Sequence, residues 1–163
     1  MKKTLILLLM LVLSLTVLAG CGATENNDPS CSDILNDVMS NSEEFDTLFA
    51  AGDETLENNY DSMYAVKRDL VDDCAIIYLE KGGTANELSL LHLKDPGDVQ
   101  LAKDKLQDRL DTRKNQFAGY KPEEVYKLEN AVIMSQGNFV ALIVSQDPPM
   151  LEASLRQAIS DNE

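Results

Sequence analysis

Ala131-Val132-Ile133-Met134-Ser135-Gln136-Gly137-Asn138-Phe139-Val140-Ala141-Leu142-Ile143-Val144 is the stretch whose reading decides the fold. Two runs rich in β-branched and apolar residues flank Gln136-Gly137-Asn138, where Gly137 can take the positive φ of a tight turn. The pattern predicts two strands joined as a hairpin. Their nearly continuous apolarity predicts that both are covered and central in a sheet. Pro148 and Pro149 then open a helix carrying Leu151, Leu155 and Ile159 at helical spacing.

Upstream, the same order occurs once more. Cys74-Ala75-Ile76-Ile77-Tyr78-Leu79 reads as a buried strand, Lys81 to Asn86 as a glycine-containing loop, and Glu87 to Leu93 as the return strand. Asp95 can cap the helix that follows, with Pro96 at its first position. Val99, Ala102, Leu106, Leu110 and Phe117 line one face of that helix at spacings of three, four, four and seven. Lys105 with Asp108 and Asp111 with Lys114 form i,i+3 pairs outside, and Gly119 is the expected left-handed stop. Pro122-Glu123-Glu124 starts a short helix through Leu128. Residues 73–118 and 131–160 are thus two ββα units of unequal length. They predict an α+β fold with a four-stranded, mainly antiparallel sheet and helices packed on one face.

The N-terminal half is less regular. Ser32 to Ala51 reads as a helical segment capped by Ser32 or Asp33, with Ile34, Leu35, Val38, Phe45, Leu48 and Phe49 as its apolar positions and Gly52 as its end. From Asp53 to Asp73 short helical turns are expected around Leu56 and between Met63 and Leu70. Gly22 to Ser32 is polar and without periodicity, and reads as a flexible tether.

At the start of the chain, Lys2 and Lys3 precede an apolar run from Leu5 to Leu18, followed by Ala19, Gly20 and Cys21. The three-part shape is that of a secretory signal, and the run is shorter than the roughly 20 residues a membrane-spanning helix needs. Leu18-Ala19-Gly20-Cys21 resembles the bacterial lipobox. The resemblance implies cleavage between Gly20 and Cys21 and a diacylglyceryl group on the Cys21 thiol, with stable anchoring once two acyl chains are present. The chain then divides into a signal peptide (1–20), a lipidated cysteine with its tether (21–32) and a single domain (33–163). Removing 20 residues from 163 leaves 143, enough for one core.

The chain carries 14 basic and 28 acidic residues, a formal net charge of −14. Both basic residues of residues 1–20 leave with the signal. Such acidity argues against a nucleic-acid partner and against adhesion to anionic headgroups, so the acyl chains must supply the anchor. With Cys21 assigned to lipid, Cys31 and Cys74 remain. A disulfide between them is allowed in an oxidising compartment, and their spacing in sequence does not decide it.

The second half is also similar to a known family. The residues that carry the likeness are Tyr78 to Ser89 (with Lys81-Gly82-Gly83-Thr84-Ala85-Asn86-Glu87), the helix from Asp95, Gly119-Tyr120-Lys121-Pro122-Glu123-Glu124 into Leu128-Glu129-Asn130-Ala131, and Gly137-Asn138-Phe139-Val140. Together they resemble domain-of-unknown-function family 4358, small lipid-anchored lipoproteins of Gram-positive bacteria. The resemblance implies a lipid-anchored extracytoplasmic domain and brings no catalytic residues with it.

Taken residue by residue, no catalytic set emerges. His92 is alone in a strand, and no serine sits in a nucleophile elbow. Cys31 and Cys74 lack metal-ligand spacing. Asp72-Asp73 reads as a solvated pair, Glu123-Glu124 as complementing a helix N-terminus, and Phe45, Phe49, Tyr60, Tyr64 and Tyr78 as core and rim or a groove. No cofactor is implied. The expectation is a non-catalytic binding module on the outer face of the cytoplasmic membrane, held there by Cys21, with an envelope protein as partner. The alternatives are a carboxylate-dependent extracytoplasmic hydrolase and a small solute-binding lipoprotein.

Overall fold

A computed structural model describes residues 30–40, 42–64, 66–78 and 83–161. Gly20, Cys21, the signal and most of the tether lie outside these residues. The elements in chain order are α1 (Cys31–Met39), β1 (Thr47–Ala50), α2 (Glu54–Met63), β2 (Val71–Tyr78), β3 (Glu87–Leu93), α3 (Val99–Tyr120), α4 (Val125–Glu129), β4 (Val132–Gln136), β5 (Phe139–Val144) and α5 (Pro148–Asp161). Short 3-10 turns at Arg68–Leu70, Pro96–Asp98 and Pro122–Glu124 lead into β2, α3 and α4.

The α+β class and the two ββα units are as expected, but the sheet has five strands rather than four. Its order is β1-β2-β3-β5-β4, with every neighbouring pair antiparallel. The extra strand, β1, comes from the stretch read as helix. Phe45, Leu48 and Phe49 suit a helical face, but Leu48 and Phe49 also suit a strand with opposite sides. Phe49 packs on one face of the sheet and Leu48 on the other. Pairing with β2 fills the hydrogen bonds that β2 would otherwise leave open at an edge. The helix stops early, at Met39, and its cap is Ser30 rather than Ser32 or Asp33.

The helices cover both faces of the sheet, not one. Cys74 and Ile76 of β2, Leu91 and Leu93 of β3, and Val140, Leu142 and Val144 of β5 pack against Leu56 and Tyr60 of α2, Ala102, Leu106 and Leu110 of α3 and Leu128 of α4. Alternate residues of the same strands, Ala75, Ile77, Leu88, Leu90, Ala141 and Ile143, pack against Ile34, Leu35 and Val38 of α1 and Leu151, Leu155 and Ile159 of α5. Strands apolar on both sides require a layer on each side. The β3-α3-β4 connection sets this up. Both strands run antiparallel to β5, so they are parallel to each other and need a long crossover. That crossover occupies one face and leaves the other to α1 and α5.

Two smaller expectations also change. β4 is an edge strand, half-buried over most of its length, whereas β5 is buried throughout. Gly119 does not stop α3, which runs on through Tyr120 and ends in the turn at Pro122. The Asp95 cap, which accepts from the Gly97 N–H at 2.7 Å, and the Gly137 turn, with φ +52°, form as predicted.

Candidate functional site

The residues singled out in the sequence do not converge. Cys31 and Cys74 are free, buried thiols. Cys31 belongs to the α1/α5 core and Cys74 to the α2/α3 core, on opposite faces of the sheet, so the disulfide left open is not made. Burial pushes the Cys31 thiol far above its ordinary range and Cys74 up to about 11, the reverse of an activated nucleophile. His92 stacks on Phe139 at 4.3 Å, with Nδ1 3.9 Å from Asp72. Asp73 turns inward instead. Its two oxygens accept the backbone N–H groups of Cys31 at 2.6 Å and Cys74 at 2.8 Å, tying the start of α1 to β2. Of the aromatic set, Phe49 and Tyr78 stack at 5.5 Å beside a groove of about 290 Å³ that Leu56, Met63 and Ile76 also line. Tyr60 and Tyr64 are buried core, and Phe45 packs on the other face.

Two polar clusters that were not anticipated lie on the α2/α3 side and at one end of the sheet. The first centres on Glu87, which is 2 % exposed at the start of β3. Arg109 of α3 grips it with both arms of its fork, Nε to Oε1 at 2.8 Å and Nη2 to Oε2 at 2.7 Å. The third Arg109 arm, Nη1, donates to the Met63 carbonyl at 2.7 Å. Arg113, one turn on, donates from Nη1 to Oε2 at 2.6 Å, and Ser89 Oγ donates to Oε1. The aromatic rings of Tyr64 and Phe117 lie under the two guanidinium groups. Burial alone would push the Glu87 carboxyl up. The Arg113 and Arg109 charges and their hydrogen bonds outweigh it and hold the carboxyl at about 2. Burial depresses Arg113, with the neighbouring Arg109 charge adding to that effect.

The second cluster lies at the same end of the sheet. Lys127 is buried, and its Nζ donates to Asn86 Oδ1 and Glu124 Oε2, both at 2.9 Å. Glu124 also accepts the Ala85 N–H, and Asn86 Nδ2 donates to Glu44, whose carboxylate accepts the Gln146 N–H. These bonds pin the 83–86 loop to α4 and to both flanking segments. Glu124 is therefore a clamp on a loop more than a complement to a helix end. Gly83 has φ +59°, a conformation that favours glycine, and Tyr120 Oη lies close by, 3.1 Å from where a Cβ would stand. The segment Gly83 to Glu87 and the later segments Gly119 to Glu124 and Leu128 to Ala131, far from it in sequence, thus meet in one place.

Sequence reasoning missed the Glu87 cluster, although a signal was present. The apolar stripe of α3 jumps seven residues from Leu110 to Phe117. The position it skips, Arg113, faces the same way, and Arg109 lies one turn before it. A gap in an apolar stripe filled by arginine is the pattern that a buried acid opposite leaves, though a solvent-reaching arginine leaves the same one.

Arg109 and Arg113 also line a concavity of about 220 Å³ together with Asp61, Ser62, Met63, Asp108, Thr112 and Gln116. Among the described residues no group of three His, Cys, Asp or Glu side chains is arranged to hold a metal ion. None of their helices is long and apolar enough to cross a membrane. A family profile described as Domain of unknown function (DUF4358) matches residues 50–145. That span holds the whole α2/α3/α4 layer, β2 to β5 and both polar clusters except Glu44 and Gln146. No curated protein and no solved structure matches.

Proposed function

The chain belongs to the DUF4358 family, and from that premise we propose that it is an extracytoplasmic lipoprotein, anchored through Cys21, whose domain is a non-catalytic binding module. The observation that carries the anchor is Leu18-Ala19-Gly20-Cys21 at the end of a charged-then-apolar leader. Support for the non-catalytic reading comes from how the polar groups are used. Glu87, Arg109, Asn86, Glu124 and Lys127 bind one another and the backbone, so they fix loops and layers. The buried thiols are held neutral.

The geometry suits an anchored module. Cys31 lies ten positions after Cys21, a span of at most about 35 Å. Cys31 enters the domain at the end of the sheet where Asp73 and His92 lie. The Asn86-Glu124-Lys127 network lies at the other end of β3, about 17 Å away along the strand. In this reading the entry end faces the outer surface of the cytoplasmic membrane. The family-motif end, with Tyr120 and Tyr126 exposed, faces away from it and meets an envelope protein. The chain's acidity leaves nucleic acid out.

Two measurements test this. Cells fed labelled palmitate should yield labelled chain in the membrane fraction, and Cys21→Ala should abolish both the label and the membrane association. Unlabelled wild-type chain free in the medium would overturn the anchor. Crosslinking on intact cells should then recover a recurrent envelope partner, and its absence would overturn the envelope-partner role.

A further inference from the structure

The concavity between α2 and α3 holds an imbalance that the fold leaves unresolved. Two guanidinium groups, 15 % and 14 % exposed, share one carboxylate, Glu87. Arg109 spends its fork on Glu87 and the Met63 carbonyl. Arg113 makes a single hydrogen bond, from Nη1 to Glu87 Oε2, among the described residues. Among the described residues its remaining N–H groups have no protein acceptor, and Arg113 lines the concavity. A guanidinium presents five N–H donors in a planar fork that matches a carboxylate. Arg113 therefore offers an unfilled carboxylate seat, with positive charge to spare from the pair behind it.

The same concavity is also lined by a lone negative charge. Asp61 is exposed and makes no ion pair or side-chain hydrogen bond among the described residues, while Asp108 is engaged by Lys105 at 3.0 Å. A simple anion would satisfy Arg113 and be repelled by Asp61. A simple cation would do the reverse. In a chain of net charge −14, a free dianion is also disfavoured at long range. A molecule with both charges and no net charge meets all three conditions. The size of the space narrows the choice. At about 220 Å³ it lies below the roughly 300–1,000 Å³ of pockets for drug-sized ligands.

We propose that this concavity binds a single small zwitterion of the α-amino-acid class, its carboxylate on Arg113 and its ammonium on Asp61. Ser62, Thr112 and Gln116 supply neutral polar groups around it, and Met63 supplies an apolar wall. The proposal rests on the non-catalytic binding reading, but not on the Cys21 anchor or on an envelope partner.

The test is an NMR titration of the ¹⁵N-labelled full chain with alanine, propionate, ethylamine and inorganic phosphate in turn. Alanine should give saturable shifts at residues 61–63 and 108–116, with propionate at least about tenfold weaker, a difference of roughly 1.4 kcal/mol. Arg113→Met should abolish saturation. Asp61→Asn, at an exposed position where folding is not at stake, should bring alanine down to the level of propionate. Shifts that do not saturate at millimolar alanine, shifts centred elsewhere, tighter binding of phosphate than of alanine, or an Asp61→Asn chain that still prefers alanine would each overturn the proposal. Failure here leaves palmitate labelling and crosslinking untouched, so it is distinguishable from failure of the anchored-module reading.

Discussion

Glu87 occupies a position that chemistry makes costly, a carboxylate on the covered face of a strand. It is kept ionised because Arg109 meets it with a bidentate fork and Arg113 adds a third contact. The two arginines are not equivalent. Arg109 also holds the Met63 carbonyl and so ties α3 to the end of α2, whereas among the described residues Arg113 hydrogen-bonds Glu87 alone and lies over the Phe117 ring. Glu87→Gln leaves two buried guanidinium groups without a counter-charge and should cost about 3–5 kcal/mol. Arg113→Met keeps the bidentate Glu87–Arg109 pair and should cost less than Glu87→Gln. Urea denaturation checks both, and an Arg113→Met loss as large as that of Glu87→Gln would refute the lesser role of Arg113.

Among the elements, α1 is the one most dependent on the rest. It has nine residues, too few to hold as an isolated helix. Its start is fixed by Ser30, which caps the Asp33 N–H, and from outside by Asp73, which accepts the Cys31 N–H. Asp73→Ala removes that remote cap together with a bond to the Cys74 N–H, and should destabilise by about 1–2 kcal/mol. Hydrogen exchange gives the more specific readout. Amide protection should fall in α1 before it falls in β3 or β5. A uniform loss across the sheet would show that Asp73 does not act through α1. β1 illustrates the same dependence. Four residues with apolar groups at 48 and 49 do not choose between helix and strand by themselves. The open edge of β2 chooses for them.

Across the whole molecule, the same ion pairs govern the response to acid. Glu87 is held at about 2, below the roughly 4.3 of a free glutamate, and Glu57 and Glu124 are lowered as well. A carboxyl depressed by folding contributes stability that is present above its unfolded value and is lost as pH falls toward its folded one. Stability of the wild-type chain should therefore decline from about pH 4.5 down to about pH 2. The Glu87→Gln chain, already less stable, should show a shallower decline over that interval in chemical denaturation. An unchanged slope would mean that Glu87 is not ionised in the folded state.

Much of this was legible in one dimension. Periodicity and turn residues located both hairpins, α3 and α5, because a strand's alternation, a helix's stripe and a glycine's positive φ are local properties. The acidic balance is a property of composition alone. The number of strands, the placement of helices on both faces, the separation of Cys31 from Cys74 and the meeting of Glu87 with Arg109 and Arg113 were decided only by tertiary structure. Each depends on which distant segments become neighbours. A short apolar stretch takes the form that its partner's unfilled hydrogen bonds require. A charge in a covered stripe keeps its meaning hidden until the opposite charge is placed against it.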